Sequence, residues 1–222
     1  MKRIVLVSAM VAYCALPMAQ AQSCDATKVL AQMDAASAKF QSTQADFNWD
    51  VLQSVVNEHD VQTGTIYFER HGDSTSMAAY IKQPAEKSVF YNGSTLTLLQ
   101  PEIKQETIFS ANSQYESFLT LGFGGSGKNL QSNWTVSCQG MESIDGMQTA
   151  KLDLKPKQQR VANMFSHVTV WIDPTRSLGL KQIFYEPSGD NRTATYTGIK
   201  YNAKIPADAF KPKDKGYNII RK

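Results

Sequence analysis

The sequence contains few of the residues from which catalytic and metal centres are usually built, with three His and three Cys among its 222 residues. His59, His71 and His167 lie far apart, and none has a second ligand at the spacing of a helix or a zinc finger. The Gly-x-Ser-x-Gly turn that carries the nucleophile of many hydrolases is also absent. We therefore predict no metal, no cofactor and no enzymatic activity. A hydrolase whose triad assembles only in space is kept as an alternative.

An excess of charge of one sign is missing as well. The whole chain has 23 Lys and Arg against 20 Asp and Glu, a net charge of +3, and two of the basic residues are Lys2 and Arg3. Without that N-terminal pair the net charge is +1, because 21 basic residues remain against 20 acidic ones. Nucleic-acid-binding proteins carry a basic stripe or patch, so we expect no nucleic-acid partner.

Long apolar runs are restricted to the N-terminus. The stretch from Ile4 to Leu16 follows the basic pair and is shorter than the ~20 residues of a membrane-spanning helix. Ala19-Gln20-Ala21 then provides the small residues of a signal-peptidase site. We expect a signal peptide over residues 1–21 that is removed after Ala21, and an exported mature chain over residues 22–222 that forms one domain.

Cysteine is scarce in the expected mature chain, where Cys24 and Cys138 remain after Cys14 leaves with the signal peptide. An even count in an oxidising compartment permits a Cys24–Cys138 disulfide, and two unpaired thiols are the alternative. Cys24 also lies just past the cleavage site, where an acylated first residue would anchor a bacterial lipoprotein. Residues 21–23 lack the large aliphatic side chain expected three positions before such a cysteine. We therefore expect the free form, with a lipid anchor through Cys24 as the alternative.

One glycine-rich segment, Gly122 to Asn129, matches the phosphate-binding loop through Lys128. Asn129 stands where a Ser or Thr hydroxyl would bind Mg²⁺, and the surrounding sequence does not alternate strands with helices as such a loop requires. We therefore predict a flexible glycine loop after a helix, with a hinge or a flap over a site as the alternative.

Helical periodicity marks three segments. Val29, Met33, Ala36 and Phe40 recur at spacings of four, three and four, which predicts a helix of about four turns capped by Asp25 or Thr27. A second helix is predicted over residues 113–121, before the glycines that end it, and a short helical turn over residues 161–165.

Alternation of apolar and polar residues marks the strands. Ten segments show it: 45–51, 64–70, 77–82, 88–91, 95–99, 134–138, 149–154, 167–172, 178–185 and 192–201. Asn92-Gly93 between two of them tolerates the positive φ of a tight hairpin turn. Since about nine to eleven strands without strand–helix alternation form an antiparallel sheet, we predict an α+β fold with helices packed on one side. A sheet this large accumulates twist, so we expect strong curvature.

The order of these elements resembles the periplasmic outer-membrane lipoprotein carrier family, the LolA-like lipoprotein-sorting proteins. The markers are the strand Gly64–Arg70, the hairpin Tyr91–Leu96 followed by Gln100-Pro101, and the ending Ile205–Pro212. Residues 116–125 and the run Trp171–Pro174 look like those of lipoprotein-sorting homologues as well. The likeness extends over nearly the whole expected mature chain.

This resemblance implies an unclosed β-barrel, capped by helices, whose apolar cavity takes up the acyl chains of lipoproteins. It implies a soluble periplasmic carrier, a monomer, that receives lipoproteins or related lipids from an inner-membrane donor complex and delivers them to an outer-membrane acceptor. It also implies that Arg70 gates the cavity, by holding a lid closed until cargo enters. His71-Gly-Asp-Ser-Thr75 departs from the family's continuation after this arginine, which leaves the details of gating open.

Strand alternation and the resemblance together predict one set of cavity residues: Phe47, Trp49, Val51, Ile66, Phe68, Arg70, Leu96 and Leu98. The alternative is that these side chains fill a solid core. Arg70 has a second interpretation too, as a strand-end arginine in a surface ion pair. The alternative function is a half-barrel that senses a ligand or binds a partner protein.

Overall fold

The computed structural model describes residues 24–72, 74–111 and 118–222. Twelve strands form one sheet, in the order β12-β6-β5-β4-β3-β2-β1-β11-β10-β9-β8-β7. The sheet is curved and unclosed, with β12 and β7 at its two ends. The strands are β1 (Ser42–Gln53), β2 (Glu58–His71), β3 (Ser74–Gln83), β4 (Lys87–Tyr91), β5 (Thr95–Gln100), β6 (Gln105–Ser110), β7 (Trp134–Ile144), β8 (Met147–Pro156), β9 (His167–Asp173), β10 (Leu178–Tyr185), β11 (Asn191–Tyr201) and β12 (Asn218–Arg221).

The predicted α+β fold with an unclosed, curved sheet is confirmed, and each of the ten predicted segments lies within a strand. Two strands, β6 and β12, were not predicted, so the sheet has 12 strands rather than about nine to eleven. The sheet is also mixed rather than wholly antiparallel, because β12 pairs with β6 in parallel. Every other neighbouring pair is antiparallel.

The described residues form three α-helices, α1 (Ala26–Ser37), α2 (Gly127–Asn133) and α3 (Gln159–Ala162), and a 3-10 turn spans Pro101–Ile103. Helix α1 begins as predicted, since the Asp25 carboxylate accepts a hydrogen bond of 2.9 Å from the Thr27 amide. It ends at Ser37, short of Phe40. Most of the predicted helix over residues 113–121 lies outside the described residues. None of the described helices is both long and apolar enough to cross a membrane.

Helix α2 was not predicted, because its sequence begins within the glycine loop. Its N-cap is Ser126, whose hydroxyl accepts a hydrogen bond of 3.0 Å from the Asn129 amide. Gly127 begins the helix against α1, where a Cβ would collide with the Leu30 backbone. The two helices therefore approach closely only because residue 127 is glycine.

The buried apolar residues form two clusters. The first packs α1, α2 and α3 against β7, β8 and β9, and includes Met33, Trp134 and Leu152. A disulfide joins Cys24, just before α1, to Cys138 on β7 beside this cluster, with 5.6 Å between the Cα atoms. The second cluster lies on the face of the sheet that bears Phe47 and Ile66, which we call the inner face.

The segment that follows β11 crosses the opposite, outer face of the sheet. The Asn202 side chain first accepts a hydrogen bond of 2.8 Å from the Gln41 amide, near the start of β1. Farther on, the Tyr80 hydroxyl donates a hydrogen bond of 2.9 Å to the Ala209 carbonyl. The segment reaches the sheet edge where the Asn218 amide donates to the Lys104 carbonyl at 2.8 Å. It thereby places β12 beside β6.

Candidate functional site

A cavity of about 270 Å³ lies over the inner face of the sheet. Strands β1 to β5 and β10 and β11 supply most of its walls, and Phe118, Leu119 and Phe165 lie on the side away from the sheet. Arg192 is the only charged residue among its described lining residues. The lining comprises Phe47, Trp49, Ile66, Met77, Ala79, Ile81, Val89, Leu96, Phe118, Leu119, Phe165, Gln182, Phe184, Arg192, Ala194 and Tyr196.

Four of the eight predicted cavity residues, Phe47, Trp49, Ile66 and Leu96, lie in this lining. These four side chains line the cavity because each lies at a position of its strand that faces the inner side of the sheet. Their contact with a lipid stays a prediction.

The other four predicted residues do not line the cavity. Phe68 is 1% exposed because its ring stacks on Phe123 with 3.8 Å between centroids, so it belongs to the packed core. Val51 lies beyond Trp49 along β1, and Leu98 is half-buried between Val89 and Thr107. Arg70 lies at the end of β2, next to the helices.

Several lining residues were not singled out from the sequence. Strand β3 contributes three of them, Met77, Ala79 and Ile81, which alternate in the same way as Ile66 on the neighbouring strand β2. The alternation within the predicted strand could therefore have identified them from the sequence. Phe118, Leu119 and Phe165 lie outside the strands. No alternation predicts which residues outside a sheet will cover it.

Three polar side chains of the lining, Gln182, Tyr196 and Arg192, each have a hydrogen-bond partner. The Tyr196 hydroxyl lies 3.4 Å from Gln182 Oε1, and Gln182 Nε2 donates to the Leu121 carbonyl. Burial raises the pKa of Tyr196 above its ordinary value, so the hydroxyl stays neutral. Arg192 Nε donates to Glu186 at 2.6 Å. The remaining lining is apolar and suits an alkyl chain.

Arg70 contacts two backbone carbonyls from different elements. Its Nη1 donates to the Ser37 carbonyl at the end of α1, at 2.8 Å, and its Nη2 donates to the Gly124 carbonyl. The guanidinium also lies over the Phe40 ring, 5.5 Å from the centroid. A cation at a helix C-terminus is stabilised by the helix dipole. No ion pair of Arg70 occurs within the described residues, so carbonyl oxygens rather than a carboxylate hold it.

The glycine loop contacts Arg70 on one side and the turn between β9 and β10 on the other. Gly124 has a φ of +74°, and a Cβ there would collide with the Phe40 ring. Its amide donates to the Ser177 carbonyl at 2.9 Å, and its carbonyl also accepts from the Ser37 hydroxyl at 2.6 Å. The preceding Phe123 covers Phe68. One loop thus connects Arg70, α1 and the inner face of the sheet.

The cavity over a curved, open sheet agrees with a match at the sequence level. A family model for the outer membrane lipoprotein carrier protein LolA matches residues 38–213. The chain belongs to the LolA family. The resemblance drawn from the sequence markers is confirmed, and the LolA family is one of carriers, a class of binding protein rather than of enzyme. No curated protein is similar enough in sequence to match this chain.

Solved structures share the LolA-family fold at low sequence identity. An uncharacterized conserved protein from Thermus thermophilus is 10% identical with a TM-score of 0.57, over 89% of this chain and 99% of that one. MucB of Pseudomonas aeruginosa, in its complex with MucA, is 17% identical with a TM-score of 0.53, over 85% of this chain. The match spans 61% of the length of that MucA/MucB chain. At these identities the likeness concerns the fold alone.

Proposed function

We propose that this protein is a soluble periplasmic carrier that binds the acyl chains of lipoproteins, or of related lipids, in the cavity and moves them toward the outer membrane. The observation that supports it most is the lining: among sixteen described residues, only Arg192 is charged, and its guanidinium is paired with Glu186. An inner-membrane donor complex would load the protein and an outer-membrane acceptor would unload it. Neither step needs a cofactor or a chemical reaction.

The energetics of lipid transport favour such a cavity. Each CH₂ group exposed to water costs ~0.8 kcal/mol, so an acyl chain of about sixteen carbons faces roughly 12 kcal/mol on its way between membranes. A carrier has to offer an apolar surface that offsets this cost. The volume of about 270 Å³ lies just below the ~300–1,000 Å³ of typical ligand pockets. We therefore expect the cavity to widen when an acyl chain enters.

Arg70 is the proposed gating residue for that widening. In the closed state it links the end of α1 to the glycine loop through the Ser37 and Gly124 carbonyls. Moving the helix or the loop away breaks these charge-assisted hydrogen bonds, which are stronger than neutral ones. Cargo binding would supply the energy for opening, and reclosure around Arg70 would favour release.

The proposed location is the periplasm, free of any anchor, after removal of residues 1–21. The Cys24 sulfur is bonded to Cys138, and a sulfur in a disulfide cannot also carry a thioether-linked lipid. The disulfide therefore supports the free form over the lipid-anchored alternative. We propose that the protein acts as a monomer.

A cavity-blocking substitution tests the function. Ala194 lies in the lining next to Tyr196, so Ala194→Phe fills the cavity, whereas Thr197→Phe adds the same ring at an exposed position of β11. The readout is the fluorescence of a palmitoylated peptide with an environment-sensitive dye. We expect Ala194→Phe to weaken binding at least about tenfold, which corresponds to ~1.4 kcal/mol, and Thr197→Phe to bind normally. Equal binding by both variants would contradict a cargo site in this cavity.

A second candidate function is the binding of a partner protein by the same half-barrel. MucB, which shares the fold, forms a complex with MucA in its solved structure. A protein-binding domain would retain a partner protein on purification and would not bind the acyl peptide.

A further inference from the structure

The end of the sheet formed by β6 and β12 carries an excess of positive charge. Within residues 101–104 and 211–222, which we call the basic edge, two acidic residues, Glu102 and Asp214, face six basic ones: Lys104, Lys211, Lys213, Lys215, Arg221 and Lys222. All six basic side chains are exposed. Asp214 hydrogen-bonds to the buried Glu106, and Lys213 forms an ion pair with Asp208 at 3.4 Å, so with Asp208 counted six basic residues stand against three acidic ones.

The fold brings these residues together from distant parts of the chain. The Asn218 amide donates to the Lys104 carbonyl at 2.8 Å, and the Lys222 amide donates to the Ile108 carbonyl at 2.9 Å. These bonds hold β12 along β6 and align its charges with those of the turn before β6. The positive charge is therefore a property of the folded edge and not of a free tail.

Two isoleucines are exposed within the basic edge. Ile103 is 59% exposed in the 3-10 turn, and Ile219 is 48% exposed on β12. Most edge strands are protected by charged side chains and keep large apolar residues inward. Exposed apolar side chains surrounded by lysines are instead typical of surfaces that lie at the boundary of an anionic bilayer.

A second exposed apolar site differs from the basic edge in charge. Val55 and Val56, at the turn between β1 and β2, are 90% and 57% exposed. Residues 50–61 and 185–192 around them hold five carboxylates against Arg192 alone. Four strand spacings of ~4.8 Å separate β2 from β6, about 19 Å and more than two Debye lengths at physiological salt. An anionic surface would therefore attract the basic edge and repel the valine turn.

We propose that the basic edge is a docking surface for an anionic phospholipid bilayer, on which Ile103 and Ile219 enter the interface while the lysines and Arg221 contact lipid phosphates. A bilayer accepts isolated apolar side chains, whereas a stable protein partner needs ~1,000 Å² of matched surface. Two copies meeting through this edge would bring like charges together. The surface is separate from the cavity, so this proposal goes beyond cargo binding.

Vesicle flotation with the full mature chain tests the proposal. We expect binding to vesicles of phosphatidylglycerol and phosphatidylethanolamine, loss of that binding at high salt, and no binding to phosphatidylcholine vesicles. Each basic residue near an anionic surface contributes about a fivefold factor, so Lys215→Gln/Arg221→Gln/Lys222→Gln lowers binding on the order of 100-fold. Ile103→Ser/Ile219→Ser lowers it about tenfold.

The matched control is Val55→Ser/Val56→Ser, which removes two exposed apolar side chains from the acidic turn and should bind vesicles as the wild type does. Unfolding midpoints establish that each variant is folded. The triple Gln variant should still bind the palmitoylated peptide, so this proposal and the carrier proposal fail separately. Absent binding to anionic vesicles, equal binding to phosphatidylcholine, or an equal loss in the valine control would overturn the proposal. A wild-type dimer that the isoleucine variant dissociates would assign the surface to a second copy and overturn it as well.

Discussion

The Arg70 guanidinium donates at the same time to the Gly124 carbonyl and to the Ser37 carbonyl at the end of α1. One side chain at the end of β2 thus holds a helix and a loop that both border the inner face of the sheet. Because the Ser37 hydroxyl donates to the Gly124 carbonyl as well, the contact closes into a small hydrogen-bonded ring. In the gating role proposed for Arg70, the closed state of the cavity depends on this arginine.

Replacing Arg70 tests this dependence. Arg70→Leu should fold, with a loss of about 1.5–3 kcal/mol in the free energy of unfolding, because a charge-assisted contact is removed. It should bind the palmitoylated peptide but release it poorly to acceptor vesicles, since the closed empty state no longer competes with cargo. Arg70→Lys keeps the charge without the fork that reaches two carbonyls, and should release at an intermediate rate. Normal release by Arg70→Leu would remove Arg70 as the gating residue.

Two adjacent glycines offer a matched test of the loop. Gly124→Ala places a Cβ against Phe40 and forces alanine to a φ of +74°, so we expect a loss of about 2–4 kcal/mol from backbone strain and overpacking. Gly125 has open space around its Cβ position, so Gly125→Ala should change stability by no more than ~1 kcal/mol. Urea unfolding of the two variants measures the difference. Equal stabilities would show that Phe40 does not constrain the loop.

Stability should depend on pH through Glu106, which is 4% exposed on β6. Burial, and then the nearby Asp214 carboxylate, raises the pKa of Glu106 above its ordinary value of 4.5. A raised pKa means that the protonated form is favoured in the folded state, so its contribution is complete below pH ~4.5 and is lost as the pH rises through the folded-state pKa. Glu106→Gln should match the wild type at low pH and exceed it in stability above that window. A difference that stays constant with pH would contradict this assignment.

The Cys24–Cys138 disulfide closes a sequence separation of 114 residues. For a loop of this size the chain-entropy model gives about 4–5 kcal/mol, so Cys24→Ser/Cys138→Ser should lose a few kcal/mol in unfolding free energy. The intact mass of the exported wild type should correspond to residues 22–222 with one disulfide. A mass that includes a diacylglycerol on Cys24 would show that the protein is membrane-anchored.

Alternation along the strands predicted most of the sheet because its inner face is buried, which ties apolar residues to every second position of β1, β2 and β3. Strand β12 was not predicted because it is short and exposes Ile219, so its sequence does not alternate between buried and exposed positions. Its parallel pairing with β6 follows from the path of the segment across the outer face, past Tyr80. That path is a tertiary feature which no local pattern encodes.

The site was predictable in part for a related reason. Alternation assigns Phe47, Val51 and Phe68 to one face of the sheet, but it does not say how far along a strand the cavity extends. Val51 lies beyond its end, and Phe68 is covered by Phe123 from the glycine loop. The Gly124 carbonyl that accepts from Arg70 is a backbone group, whose position depends on the folded loop rather than on residue type.

Native mass spectrometry of the protein exported from cells tests the central claim that the cavity carries acyl chains. We predict that the wild type retains a lipid or an acylated lipoprotein, and that Ala194→Phe, with its cavity filled, retains neither while Thr197→Phe retains the cargo. A wild-type protein that carries neither lipid nor lipid-modified peptide, or that carries only an unmodified protein partner, would contradict the account.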